Sequence, residues 1–407
     1  MKVLFLTDEF YPNFGANSLL VHTLSKEFVK KEHQVFVMPF SYDVNLPKEE
    51  IYNGINIVRA VPFDNKKQML YNIKKGKMLT GLKIINKYIK EKFSKKEKIL
   101  LKDRISARKI LEDFVKENQI DVVFSICCSI ELSFPLLYLR KKNKLPCKWI
   151  FYMIDPFESH QYYRSIEKVS VLRKLQHKIM SRCDRVVSTS LIYKDTKEWE
   201  TKEILQKISV IEFPKIEKPE IKPCDDDIHL DNDKINVICT GTKNEMVRNS
   251  AYTLNICKKF KGDSVLFHFV GKGWTEKEVM QNKNCLFYKE HSHQAIINLQ
   301  MRADILLNIG NVVTNQLPSK VLEYVSTGKP IINVAKSKDC PTIELLKNAN
   351  AVTVLENQSI ENSTKKIKEF IENEKIVADF EEISEHYEKY TPKFVAKSIL
   401  SLFGENK

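Results

Sequence analysis

Two series of short, unbroken apolar runs, each run followed by a loop and an amphipathic stretch, constrain the fold of this chain more than any other feature. In the first series, Val3-Leu-Phe-Leu-Thr7 is continuously apolar, the pattern of a strand buried on both faces. A loop containing Gly15 follows, then Leu20, Leu24 and Phe28 spaced by four along a helix, then a second run at 35–38. Strand, loop, helix and strand at this spacing form a βαβ unit, which requires a parallel sheet covered by helices. Runs at 55–58, 121–125, 149–153 and 185–189 continue the series.

The pattern breaks at 213–223, where three prolines in eleven residues disfavour both helix and ladder and predict an interdomain linker. It restarts with runs at 235–239, 265–270, 304–308 and 330–334. The expected fold class is therefore α/β, with two Rossmann-like doubly wound domains facing a cleft. The first spans 1–212 and the second 213–389. Residues 390–407, with a helix over 394–403, return to the N-terminal domain. A length of 407 residues suits two cores better than one.

The formal charge of +14 is concentrated. Between Lys66 and Lys109 stand 16 lysines and arginines against the acids Glu91, Glu97 and Asp103, a net +13. A uniformly basic nucleic-acid binder is thereby disfavoured. Met78, Leu82, Ile85, Ile89 and Phe93 form one helical stripe there, flanked by lysines. This segment reads either as a helix with a solvated lysine face or as a surface for anionic lipid or a lipid-diphosphate acceptor. Nine cysteines contain no C-x-x-C pair and fit a reducing cytosol. The N-terminal apolar run of four is too short for a secretory leader. The stretch 122–139, interrupted by Glu131 and Pro135, reads as a strand and a buried helix rather than a membrane span.

In open α/β sheets, ligands sit beyond the carboxyl ends of the strands. Gly15 occupies such a loop before a helix start, where it serves either a tight turn or an approaching anion. The second series offers more. After the run at 304–308 comes Leu317-Pro-Ser-Lys-Val-Leu-Glu-Tyr-Val-Ser-Thr-Gly-Lys-Pro330. Pro318 at the first helical turn, Gly328 past the end and Pro330 beyond mark a helix start and stop. The N–H groups near Ser319 and Lys320 then point at the strand-end crevice. Lys320 opposes the helix dipole unless an anion lies nearby, and Glu323 stands one turn on. An anion cradle with a carboxylate behind it suits a nucleoside diphosphate with its ribose hydroxyls; a surface lysine in an intrahelical Lys–Glu pair is the plainer alternative. Gly241, Lys243, Arg248 and Gly271 supply glycine and cations at neighbouring strand ends. His160, His291 and His293 read as loop or core histidines.

With these residues the chain resembles a GT-B fold glycosyltransferase of family 4, the retaining, nucleotide-sugar-dependent class. The similarity is carried by the segments at 1–15, 24–37, 182–190 and 208–214 and above all by 317–332, and it covers essentially the whole chain. It implies transfer of a hexosyl group from a nucleoside-diphosphate sugar to a glycan or lipid-linked acceptor with retention, in bacterial-type surface polysaccharide or glycolipid synthesis. It further implies that Glu323 binds the donor ribose, that Arg248 and Lys320 hold the diphosphate, and that the Gly15 loop faces the same phosphates. Asp155 resembles an aspartate near the acceptor, with capping of the next helix as its structural alternative. Gly241, Lys243, Gly271, Asn315, Leu317 and Ser319 complete the expected donor site. Asn315 replaces the first acid of the family's E-x7-E motif, and Thr242 replaces the arginine of its Gly-Arg pair. No metal and no cofactor are expected, and the location is cytoplasmic, peripheral at the inner face of the membrane. A catalytically silent GT-B subunit and a nucleotide-sugar epimerase are the rival readings.

Overall fold

The computed structural model describes residues 1–12, 14–40, 42–43, 45–60, 107–126, 130–158, 168–224, 228–243, 250–260, 264–311, 315–373 and 376–404. The chain divides into two compact units, Met1–Pro214 with Pro392–Lys407, and Lys215–Thr391.

The first unit holds an eight-stranded sheet: β1 (Lys2–Thr7), β2 (Gln34–Pro39), β3 (Glu49–Tyr52), β4 (Ile55–Val58), β5 (Val122–Ile126), β6 (Lys148–Met153), β7 (Arg185–Ser188) and β8 (Ile208–Val210). Their spatial order is β3-β4-β2-β1-β5-β6-β7-β8, and every pair is parallel except β3–β4. The continuous apolar runs are explained by two cores. Leu4 and Leu6 of β1 face one, with the Ile130–Lys141 and Val169–Arg182 helices; Val3 and Phe5 face the other, with the Ala16–Lys30 and Pro392–Ser401 helices. The stretch expected to be strand plus helix is β5 and the Ile130–Lys141 helix.

The second unit contains β9 (Ile235–Thr240), β10 (Val265–Val270), β11 (Cys285–Tyr288), β12 (Ile305–Ile309), β13 (Ile331–Ala335) and β14 (Ala351–Leu355). The order β11-β10-β9-β12-β13-β14 is fully parallel and doubly wound. Val237, Phe267, Leu307 and Val334 form its apolar core with the Ser250–Cys257 and Ile360–Glu372 helices. Alternate residues face the other side, where buried amides pair across neighbouring strands. Asn308 donates to Asn333 at 2.8 Å, and Asn333 to Thr353 at 3.1 Å.

The segment expected as a linker is largely packed against the second unit. Lys215 and Ile216 both donate backbone N–H groups to the Tyr390 carbonyl, and Ile216 is buried. Further on, Gln294 and Asn298 donate to the Glu220 and Lys222 carbonyls. Prolines remove the segment from any ladder, and these side-chain amides satisfy its backbone instead.

Candidate functional site

The second unit opens where its strand order reverses. β9 and β12 are paired only at Ile305–Val237 and Leu306–Ile238. Beyond these pairs the strands part, and a small pocket lies between their carboxyl ends. Cys239 and Thr240 line it from β9, and Leu307, Asn308 and Ile309 from β12. This is the topological switch point, where open α/β sheets bind ligands.

A parting strand leaves ladder groups without partners. The N–H of Thr240, on the β12 side, donates to the Tyr324 hydroxyl at 2.8 Å, and that hydroxyl also meets Thr240 Oγ1 at 3.0 Å. Gln300 Nε2 donates to the same Oγ1 at 3.0 Å. Tyr324 thus replaces the missing β12 partner and ties β9 to the Ser319–Ser326 helix.

That helix carries the strongest expected site residues. Pro318 is its N-cap and provides no side-chain acceptor; its carbonyl accepts the Val321 N–H at 3.1 Å. Gly328, with φ +71°, follows its end. Lys320 lines the cavity. Its ammonium lies 2.6 Å from Glu323 Oε2, and Lys215 Nζ is 3.5 Å from Oε1. Glu323 does not line the pocket, whereas its partner Lys320 does. The intrahelical Lys–Glu pair therefore exists, but it is not a surface pair: side-chain exposures are 24% for Lys320, 16% for Glu323 and 11% for Lys215. Burial pushes the Glu323 carboxyl up, yet the charges of Lys320 and Lys215 outweigh it and bring its pKa down to about 2. His293 lies close enough to interact with the same carboxylate.

The neighbouring loops are knitted by glycine. Gly241 and Gly271 have φ +118° and +135°, and a Cβ on Gly271 would stand 2.4 Å from the Gly241 carbonyl. Lys243 donates its N–H to the Lys272 carbonyl at 2.8 Å. Gly271 is thus required by loop packing one layer behind the wall, whereas Gly241 and Lys243 line the cavity. The Lys243 ammonium is paired with Glu278 and lies 5.6 Å from the Trp274 ring centre. Asn315 and Leu317, both half-buried, lead into the helix that begins at Ser319. Arg248 and His160 lie outside the described residues, as do residues 66–106 of the basic segment. His291 bonds its own loop through the Lys289 carbonyl at 2.9 Å.

Gly15 and Asp155 belong to the first unit, after β1 and β6. The Gly15 N–H donates to Ser18 Oγ at 2.7 Å, and the Glu9 carboxylate occupies the space a Cβ would need. Asp155 is half-buried, two residues past β6. The loop before Gly15 is anchored by a residue that carries no motif. Arg59, fully buried, donates to the Pro47 and Tyr11 carbonyls at 2.8 and 2.6 Å and pairs with Glu50.

Among the described residues no group of His, Cys, Asp and Glu side chains is arranged to hold a metal, and no helix is long and apolar enough to cross a membrane.

No family model matches the chain, and no curated protein matches it in sequence. Solved structures do match. The lipopolysaccharide outer core galactosyltransferase WaaB in its apo form is similar at TM-score 0.60 and 15% identity, covering 100% of both chains. Sucrose-phosphate synthase from Thermosynechococcus elongatus gives 0.68 and 10%, covering 100% of this chain and 99% of that one. HepE from Anabaena, in complex with UDP-glucose, gives 0.57 and 12%, covering 99% and 95%. Over its full length, the chain has the fold of the GT-B glycosyltransferases: two Rossmann-like α/β units in sequence.

Proposed function

We propose that this protein is a retaining glycosyltransferase that moves a hexosyl group from a nucleoside-diphosphate sugar to a glycan or lipid-linked acceptor. The observation that carries the reading is the switch-point pocket of the second unit, with Lys320 in its wall, a helix start without a side-chain cap beside it and the ionised Glu323 paired to that lysine. A doubly negative diphosphate is the ligand whose charge suits a cation and the positive end of a helix dipole at one strand end. The similarity to structures named for sugar transfer supports the same reading.

In the reaction, the bond between the anomeric carbon and the diphosphate oxygen breaks, and its electron pair leaves with the phosphate. The acceptor oxygen bonds to the anomeric carbon on the same face, and its proton passes to the departing phosphate. Lys320 and the first-turn N–H groups stabilise the charge that develops on the leaving oxygens, with Arg248 and Lys243 as further cations. Glu323 receives the ribose hydroxyls, and Asp155 orients the acceptor hydroxyl. These charges make a metal unnecessary. Surface polysaccharide or glycolipid synthesis at the cytoplasmic face is the corresponding setting, with residues 66–109 meeting anionic lipid. Co-sedimentation with anionic vesicles should be strong at low salt and lost at high salt; absence of binding at low salt removes the membrane role.

The decisive experiment is a thermal-shift screen of nucleoside diphosphates and their sugars, followed by turnover with the stabilising donor. One diphosphate should raise Tm, and Glu323→Ala and Arg248→Ala should each lower transfer about 100-fold or more. Full activity in both variants would overturn the site assignment. Asn315, in place of an acid, is the feature that favours the silent-subunit reading, and turnover by the purified chain alone excludes that reading.

A further inference from the structure

Glu323 and Lys320 have been given separate tasks, ribose and diphosphate, yet in this structure they are each other's partner. The Lys320 ammonium sits 2.6 Å from Glu323 Oε2, and Lys215 approaches Oε1 at 3.5 Å. A vicinal diol needs open acceptor positions on the carboxylate, and in the ligand-free site Lys320 holds Oε2 closely while Lys215 lies more loosely at Oε1. Lys320 is also a residue of the cavity wall, whereas Glu323 and Lys215 are not. Its ammonium therefore has two competing anions: the carboxylate behind it and a diphosphate in the cavity.

From this geometry we infer that Lys320 is a phosphate-operated cover on Glu323, so that the site recognises ribose only in ligands that also carry the diphosphate. The inference rests on the donor-site reading above and specifies how that site excludes unphosphorylated nucleosides. When the diphosphate enters, Lys320 turns from the single carboxylate charge to the larger phosphate charge, exposing Oε2. Lys215 stays at Oε1, so the carboxylate keeps a cationic partner and does not take up a proton as it is uncovered. Phosphate binding and ribose binding are thereby coupled through one side chain, and the coupling is reciprocal. No new bond forms; one ion pair is exchanged for another. The arrangement discriminates against nucleosides by making the carboxylate unavailable, in addition to any attraction it offers the correct ligand.

The test is calorimetric titration of the full chain with matched pairs, uridine and UDP, adenosine and ADP, guanosine and GDP. The pair whose diphosphate binds the wild type is carried into Lys320→Met, Lys320→Gln and Lys215→Met. The expected result for both Lys320 variants is opposite in sign for the two members: weaker diphosphate binding, but nucleoside binding tighter by fivefold or more, the usual range of a coupling between sites. Lys215→Met leaves the cover in place and should weaken the diphosphate with no gain for the nucleoside. Two Lys320 variants guard against one that fails to fold. If the nucleoside binds no better in either of them while the diphosphate weakens, Lys320 is only a phosphate ligand and the inference is overturned. If no diphosphate in the panel binds the wild type, the donor-site reading itself falls, and the inference falls with it.

Discussion

Glu323 illustrates how one side chain connects stability, pH and chemistry. Burial alone would favour its neutral form, but two lysines reverse the balance and hold its pKa at about 2. An unfolded glutamate titrates near 4.3, so the folded state binds this proton more weakly than the unfolded state does. The group therefore contributes stability that is fully present above about pH 4.3 and is lost as pH falls toward 2. A difference of roughly two units corresponds to about 3 kcal/mol. Glu323→Gln should thus be less stable than the wild type at pH 7, and the gap should close between pH 5 and pH 2. Urea denaturation across that range reads it; a gap independent of pH would mean that the two ammonium groups do not stabilise this carboxylate. Lys215, Lys320 and His293 are the other titratable groups at that carboxylate. Lys320 and Glu323 were legible in the sequence because helix periodicity puts residues three apart on one side. Lys215 was not, because its proline-rich surroundings carry no period. Only the tertiary packing of that segment brings it to Glu323.

At the scale of elements, the carboxyl ends of the strands were legible because buried parallel strands are continuous apolar runs, and their ends are where the runs stop. β3 was missed although its signal was present. Asn53 and Gly54, with φ +52° and +76°, form a tight turn between β3 and β4, the Asn-Gly hairpin signature. β3 itself, Glu49-Glu-Ile-Tyr52, has no apolar run because it lies at the sheet edge with Ile51 exposed. β14 was missed for a related reason: it too is an edge strand, and its residues alternate between buried and half-buried. The glycine loops were legible as loops but not in purpose. A glycine required by a ligand and one required by a second loop look alike in sequence, and Gly271 proves to be the second kind. The Tyr324 contact with Thr240 had no local signal, because the two residues are 84 positions apart and meet only after β9 and β12 separate.

For the whole molecule, the path of the chain makes the two units unequal. The second unit is continuous from Lys215 to Thr391, whereas the first is completed only by Pro392–Lys407. In that last helix Val395, Ala396, Ile399 and Leu400 are at most 3% exposed, in one cluster with Val21, Leu24 and Phe28 of the first helix. Full burial of a large aliphatic side chain contributes about 1.5–3 kcal/mol. Val395, Ile399 and Leu400 together thus represent several kcal/mol, a large share of the roughly 5–15 kcal/mol that keeps a domain folded. A chain ending at Thr391 should therefore lose stability in its first unit while the second, with its own core of Val237, Phe267 and Leu307, keeps its fold. Amide hydrogen exchange resolved by peptide separates the two cases. Exchange in β1 and β5 should quicken about 100-fold or more, as a loss of about 3 kcal/mol implies, while β9 and β12 keep their protection. Equal quickening in both sheets would mean that the units unfold as one body, and unchanged exchange in β1 would mean that the terminal helix is dispensable to the core it lies on.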